Sequence, residues 1–219
     1  MDERQRLLAY LSTLYPSLDP RLSEIRKKAL ENEVPIIRDD TRNFLGVLLS
    51  MKQPKHILEV GTAVGFSAIY MALHTSEQCR IDTLESYGKR IPVAHENIRS
   101  FGLEQRIFLT QGDAAETIPT LTGPFDFVFV DAAKGQYGQY FSLIRPMLTK
   151  DAVVVFDNVL QDMDIIESHY AVVRRNRTIH KRMRQFLREL TSDPEFHTDI
   201  LAVGDGLAVC VRDVPEKHD

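Results

Sequence analysis

Residues Ile57 to Ser67 read ILEVGTAVGFS, an apolar run that ends in Gly61-Thr62-Ala63-Val64-Gly65 and passes directly into the helix-like spacing of Phe66 to Leu73. Glycines at the two ends of such a loop let the backbone turn sharply from strand into helix and let a ligand approach the main chain. A dinucleotide site would carry a further glycine in the middle, because the pyrophosphate must press against the helix N-terminus. That glycine is missing. Glu59, just before the loop, argues the same way, since a carboxylate repels an anion and suits a sulfonium or an amino group.

The pattern around this stretch repeats. Short apolar runs, HILEV, RIDTLE, RIFLTQ, FDFVFVD and AVVVFDN, alternate with helical spacing from Lys55 onward. This alternation predicts an α/β fold with a doubly wound, Rossmann-like sheet covered on both faces. Before it, Leu7, Leu8, Leu11 and Leu14, then Leu22, Ile25 and Ala29, then Phe44, Leu45, Leu48 and Leu49 fall on helical stripes punctuated by Pro16, Pro20 and Pro35. After it, TDILAV and GLAVCV flank Gly204-Asp205-Gly206, a hairpin signal, so the sheet is expected to end in an antiparallel hairpin. With no repeat or low-complexity linker, residues 1–219 read as one domain, with 1–52 as an N-terminal helical extension and 53–213 as the core.

The bulk composition excludes more than it identifies. With 43% hydrophobic and 26% charged residues and a net charge of -4, the chain gives no overall electrostatic reason to bind nucleic acid. Cys79 and Cys210 are far apart in apolar runs and read as small buried hydrophobes, which suits a reducing cytoplasm. The start, MDERQRLLAYL, lacks the apolar core of a signal peptide, and no run reaches membrane-spanning length. A cytoplasmic protein with no membrane partner is the expectation.

The predicted strand ends carry the chemistry. Glu85 ends the second strand, where ribose-binding carboxylates belong in such folds, and Asp113 and Ala114 follow the third, placed to meet an adenine. A tight turn with no ligand would use the same glycines. Three strand ends that each supply an acid argue against it. Asp131 ends the fourth strand, and Asp157 with Asn158 the fifth. Neighbouring strand ends open into one crevice, so these oxygen donors converge. Without His or Cys nearby, they favour a hard ion: Mg²⁺ first, with Mn²⁺ or Ca²⁺ possible. Lys134, three residues past Asp131, is placed to take a proton from a hydroxyl held by such an ion. Taken singly, each acid has an ordinary alternative as a helix cap and the lysine as a surface residue.

The series EVGTAVGFS, TLES, GDAAE, FVDAAKGQY and VVVFDN resembles the cation-dependent O-methyltransferase family that includes the catechol and caffeoyl-coenzyme A enzymes, from about Val34 to Arg212. The resemblance implies a class I methyltransferase sheet and S-adenosyl-L-methionine as methyl donor, contacted by Ile37, Glu59, Gly61, Thr62, Ser67, Glu85, Ala114 and Asp131. It also implies a catalytic role for Lys134 and Asp131, and a homodimer.

The acceptor turns on the segment after Asn158. Arg174, Arg175, Arg177, Lys181, Arg182, Arg184 and Arg188 cluster there in a chain that is acidic overall. On a helix, Arg177, Lys181, Arg184 and Arg188 share a face, opposite Ile179, Met183, Phe186, Leu187 and Leu190. A docked amphipathic helix with a solvated basic side has the same pattern. The scarcity of glutamate on that side favours a phosphate backbone. The stretch RRNRTIHKRMRQF is also similar to the branch of the family that methylates 5-hydroxyuridine at the wobble position of bacterial tRNA. That resemblance implies a tRNA anticodon loop as partner, with Arg174, Arg175, Arg177, Lys181 and Arg182 on the RNA. The alternative acceptor is a small catechol or related phenol. The chain has no Trp for the wall of a flat pocket, although Tyr137, Tyr140, Phe141 and Tyr170 are available.

Overall fold

The computed structural model describes residues 3–161, 164–168 and 172–213, so Tyr170 lies outside the described residues. Three helices, α1 (Glu3–Ser12), α2 (Pro20–Glu31) and α3 (Asp39–Lys52), precede the sheet. Strands β1 (His56–Val60), β2 (Arg80–Glu85), β3 (Ile107–Gln111), β4 (Phe125–Val130) and β5 (Leu148–Phe156) then alternate with helices α4 (Phe66–Leu73), α5 (Ile91–Ser100), α6 (Ala114–Thr117) and α7 (Tyr137–Ile144). Helix α8 (Arg177–Thr191) leads into β6 (Phe196–Leu201) and β7 (Leu207–Arg212).

The seven strands form one sheet in the order β3-β2-β1-β4-β5-β7-β6, with β7 antiparallel to both its neighbours. The doubly wound α/β sheet and its closing hairpin are therefore as expected. The central strands β1, β2 and β4 are buried on both faces, the edge strands β3 and β6 are not, and side chains alternate between the faces. Ile57, Phe127, Phe129, Val153 and Val155 pack to one side, with Ile69 and Met71 of α4 and Ile98 of α5. Leu58, Val60, Val128, Val130, Val154 and Phe156 pack to the other, with Tyr137 and Phe141 of α7 and Met183 and Phe186 of α8.

Leu22, Ile25, Ala29, Leu45 and Leu49 belong to the first of these clusters, so α2 and α3 are part of the sheet's covering layer. Cys79 and Cys210 are free thiols and buried. One expectation for α8 needs correction. Ile179 is 38% exposed, lying against Gly135 where α8 packs on residues 134–136, and His180, at 2%, takes the inward place. Among the described residues, no helix is long and apolar enough to cross a membrane.

Candidate active site

The strand order reverses direction between β1 and β4, and a crevice opens there, beyond the carboxyl ends of the strands. Backbone bonds level the strand ends: Asp131 N–H donates to Val60 O at 2.9 Å, Asp157 N–H to Val130 O at 2.9 Å, and Gly112 N–H to Glu85 O at 3.0 Å. The crevice is a cavity of about 470 Å³ lined by Ile37, Gly61, Thr62, Ser67, Glu85, Asp113, Ala114, Asp131, Lys134 and Asn158, among others. Every cofactor residue expected from the sequence except Glu59 lies in this wall.

Glu59 sits behind the wall instead, fully buried on the α4 side of the sheet, where its carboxylate accepts from the Thr83 hydroxyl. Burial pushes its carboxyl up to about 7, partly offset by hydrogen bonding from Ser67 and Thr83 and reinforced by the charges of Asp131 and Glu85. The glycine at 61 is a steric requirement. Its φ is +107°, and a Cβ there would lie 2.0 Å from the carbonyl oxygen of Asp131. Close passage of β1's exit over β4's exit is thus what places Asp131 against the loop.

Glu85 is pinned by two backbone donors, Ala63 N–H at 2.7 Å and Tyr87 N–H at 2.8 Å, one to each carboxylate oxygen. Its remaining lone pairs can accept from a diol such as a ribose. Asp113 caps α6 through Ala115 N–H at 2.8 Å while still facing the cavity, so both readings of that residue hold together. Tyr137, Tyr140 and Phe141 are core residues, and of the three Tyr140 also lines the cavity and donates to Gln136 Oε1 at 3.0 Å.

Asn158 Nδ2 donates to Asp131 Oδ1 at 2.9 Å, and Asp157 Oδ1 accepts from Asn158 N–H at 2.7 Å. Asn158 has φ +59°, a left-handed conformation that turns the chain back under the cavity. Tyr137 Oη donates to the Asp157 carbonyl at 2.9 Å and fixes this turn from below. Burial pushes the Asp157 carboxyl up to about 7, and the negative charges of Asp131 and Asp205 push the same way. Asp131 is also raised, again chiefly by burial.

Among the described residues no group of three His, Cys, Asp or Glu side chains is arranged to hold a metal. The candidate set consists of two carboxylates and an amide. Its chemistry fits a hard divalent cation: the donors are all oxygen, and like charges crowd together in a buried place where a cation would offset them. Lys134 Nζ stands beside the set, 3.4 Å from Asp205 Oδ2.

Asp205 is the site residue that the sequence reading missed. Asp-Gly after a strand reads as turn chemistry, and only the packing of the β6–β7 connection against the loop after β5 turns it inward. The basic residues lie elsewhere. Arg174, Arg175, Lys181 and Arg182 are exposed, Arg177 half-buried, and none lines the cavity. Arg182 does share a smaller groove with Lys134 and Gly135, so α8 flanks the cavity mouth.

The family model described as O-methyltransferase matches residues 13–213. The catechol O-methyltransferase of Mycobacterium tuberculosis is 34% identical over 161 residues, covering 72% of this chain and 73% of that protein. The catechol O-methyltransferase of Niastella koreensis is 32% identical over 166 residues, covering 73% and 75%. The crystal structure of the O-methyltransferase TomG from Streptomyces achromogenes, in complex with SAM, superposes with a TM-score of 0.86 at 25% identity, covering 98% of this chain and all of that one. A cavity at the sheet's switch point, with its walls of strand-end acids, and a match that spans nearly the whole chain lead to one conclusion: this protein belongs to the O-methyltransferase family.

Proposed function

We propose that this S-adenosylmethionine-dependent O-methyltransferase methylates one oxygen of a vicinal oxygen pair on a small catechol-type phenol. The observation that carries the reading is the presence of Asp131, Lys134 and Asn158 in the cavity wall, with Asp157 buried beside them and accepting from Asn158 N–H. The relatives named for catechol support the phenolic acceptor over the tRNA nucleoside that the basic segment favoured.

S-adenosylmethionine would supply an electrophilic methyl group, and a divalent cation, Mg²⁺ by its donor set with Mn²⁺ or Ca²⁺ as alternatives, would supply charge that orients and acidifies two acceptor oxygens. Glu85 would accept from the ribose hydroxyls, Asp113 and Ala114 would border the adenine, and Gly61, Thr62 and Ser67 would border the amino-acid end. Asp131, Asp157 and Asn158 would hold the cation. Lys134 removes the proton from the attacking hydroxyl. Tyr137, through the Asp157 carbonyl, keeps the ligand turn in place. Most of the rate comes from holding donor and acceptor in line.

A second reading keeps the chemistry and changes the acceptor. The 5-hydroxyl and the C4 carbonyl of 5-hydroxyuridine form a similar oxygen pair, and an unpaired wobble base is readily turned out of its loop. The exposed cations Arg174, Arg175, Lys181 and Arg182, the last in the groove beside Lys134, favour it. Incubation with labelled S-adenosylmethionine, Mg²⁺ and either a catechol panel or tRNA carrying 5-hydroxyuridine separates the two. Label in the phenols supports the first reading, and label confined to tRNA replaces it with the second. Asp131→Ala and Asp157→Ala are expected to abolish transfer, and wild-type turnover in EDTA would refute the metal.

We also infer a homodimer. Leu7, Val47 and Met51 are exposed, at 56%, 53% and 78%, along an apolar groove between α1 and α3. Sedimentation equilibrium is expected to give twice the chain mass, and Val47→Glu with Met51→Glu to halve it; a wild-type monomer sinks this inference.

A further inference from the structure

The connection between β6 and β7 brings a third carboxylate to the site. Asp205 is 6% exposed, and its Oδ2 lies 3.4 Å from Lys134 Nζ. The two residues come from distant segments: Lys134 opens the short turn 134–136 before α7, and Asp205 belongs to the connection between β6 and β7.

The backbone that carries Asp205 is anchored by three hydrogen bonds from two segments. Gly204 N–H donates to Asp40 Oδ2 at 2.8 Å, Leu160 N–H to Asp205 O at 2.9 Å, and Val159 N–H to Gly206 O at 3.0 Å. Gly206 has φ +90°, and a Cβ there would lie 2.2 Å from the Leu160 side chain, so the loop closes tightly on the segment that follows Asn158. Lys134, in contrast, carries its charge on a flexible four-carbon stem, and its side chain is 34% exposed. The buried acid on the fixed backbone therefore sets the position of the amine.

The geometry points to Asp205 as a positioning residue for Lys134: its carboxylate holds the amine over Asp131 and Asp157 and keeps it from swinging into solvent. At 3.4 Å the contact is longer than a strong charge-assisted hydrogen bond. It restrains the amine and still lets it advance to an acceptor hydroxyl. This rests on the reading of Lys134 as the group that takes the proton.

The full-length chain is assayed with S-adenosylmethionine, Mg²⁺ and catechol, as wild type, Lys134→Ala, Asp205→Asn and the double variant. Asp205→Asn is expected to lower kcat by about 10- to 100-fold, the scale of a misplaced catalytic group, with both KM values nearly unchanged. The double variant is expected to be no slower than Lys134→Ala. Wild-type kcat in Lys134→Ala overturns the role of Lys134 itself. A large loss there, with wild-type kcat in Asp205→Asn or with multiplying effects in the double variant, overturns only the positioning. A measurement that needs no acceptor follows the Lys134 amine directly, by reductive ¹³C-methylation and NMR. Its resonance is expected to move in Asp205→Asn to that of an exposed lysine, and an unmoved resonance overturns the proposal. Should Asp205→Asn fold poorly, Asp205→Ser takes the same two measurements.

Discussion

At the scale of single residues, the site shows how burial and charge act on one another. Glu59 ionises near 4.5 in an unfolded chain and at about 7 in the folded one, so the folded state binds its proton more tightly. A raised acid contributes stability that is fully present below the unfolded value and is lost as pH rises through the folded one. The ligand-free protein should therefore lose stability between about pH 4.5 and 7.5. Glu59→Gln, which keeps an acceptor for Thr83, is expected to raise stability at pH 8 by on the order of 1–3 kcal/mol and to change little at pH 4. Urea unfolding at the two pH values checks this, and parallel curves would count against it. Gly61→Ala is a second residue-scale case. Its Cβ meets main chain, which cannot rotate away, and positive φ adds strain, so a loss of at least about 2 kcal/mol and of cofactor affinity is expected. Thermal unfolding with and without S-adenosylmethionine measures both.

Among the elements, α8 has two unlike sides. Met183, Phe186, Leu187 and Leu190 are buried, and the Phe186 ring meets Phe156 edge-on at 4.9 Å and Tyr137 at 6.1 Å. Because Tyr137 also holds the Asp157 carbonyl, the packing of α8 reaches the ligand turn. Phe186→Ala is expected to cost about 3–5 kcal/mol, read by denaturant titration. The outer side tests the second acceptor reading. Arg177→Glu with Lys181→Glu should weaken any methylation of tRNA and lower its log–log salt slope by about 2, as two phosphate contacts are lost. Unchanged tRNA methylation would mean that the face is only solvated. The apolar spacing of α8 was legible from the sequence except in its first turn, where packing on residues 134–136, invisible to periodicity, leaves His180 in and Ile179 out.

For the whole molecule, the three N-terminal helices matter more than their place before the sheet suggests. Leu22, Ile25, Leu45 and Leu49 share a buried cluster with Ile57 and Phe127, so a fragment starting at residue 53 would expose that face of the sheet. It is expected to aggregate or stay unfolded, and a cooperative melt of the fragment would count against this. Sequence alone determined the α/β alternation, the hairpin and the acids at the strand ends, because these depend on local periodicity and on residues that terminate strands. It also placed Asp131, Asp157 and Asn158 together, since parallel strands share a carboxyl end. What only the tertiary structure decided depends on segments distant in the chain: Glu59 behind the wall of the cavity, the cover that α2 and α3 give the sheet, and Asp205 beside Lys134. Asp205 and Lys134 are 71 positions apart. No periodicity links them, and only the return of the last hairpin onto the loop after β5 brings the two charges together.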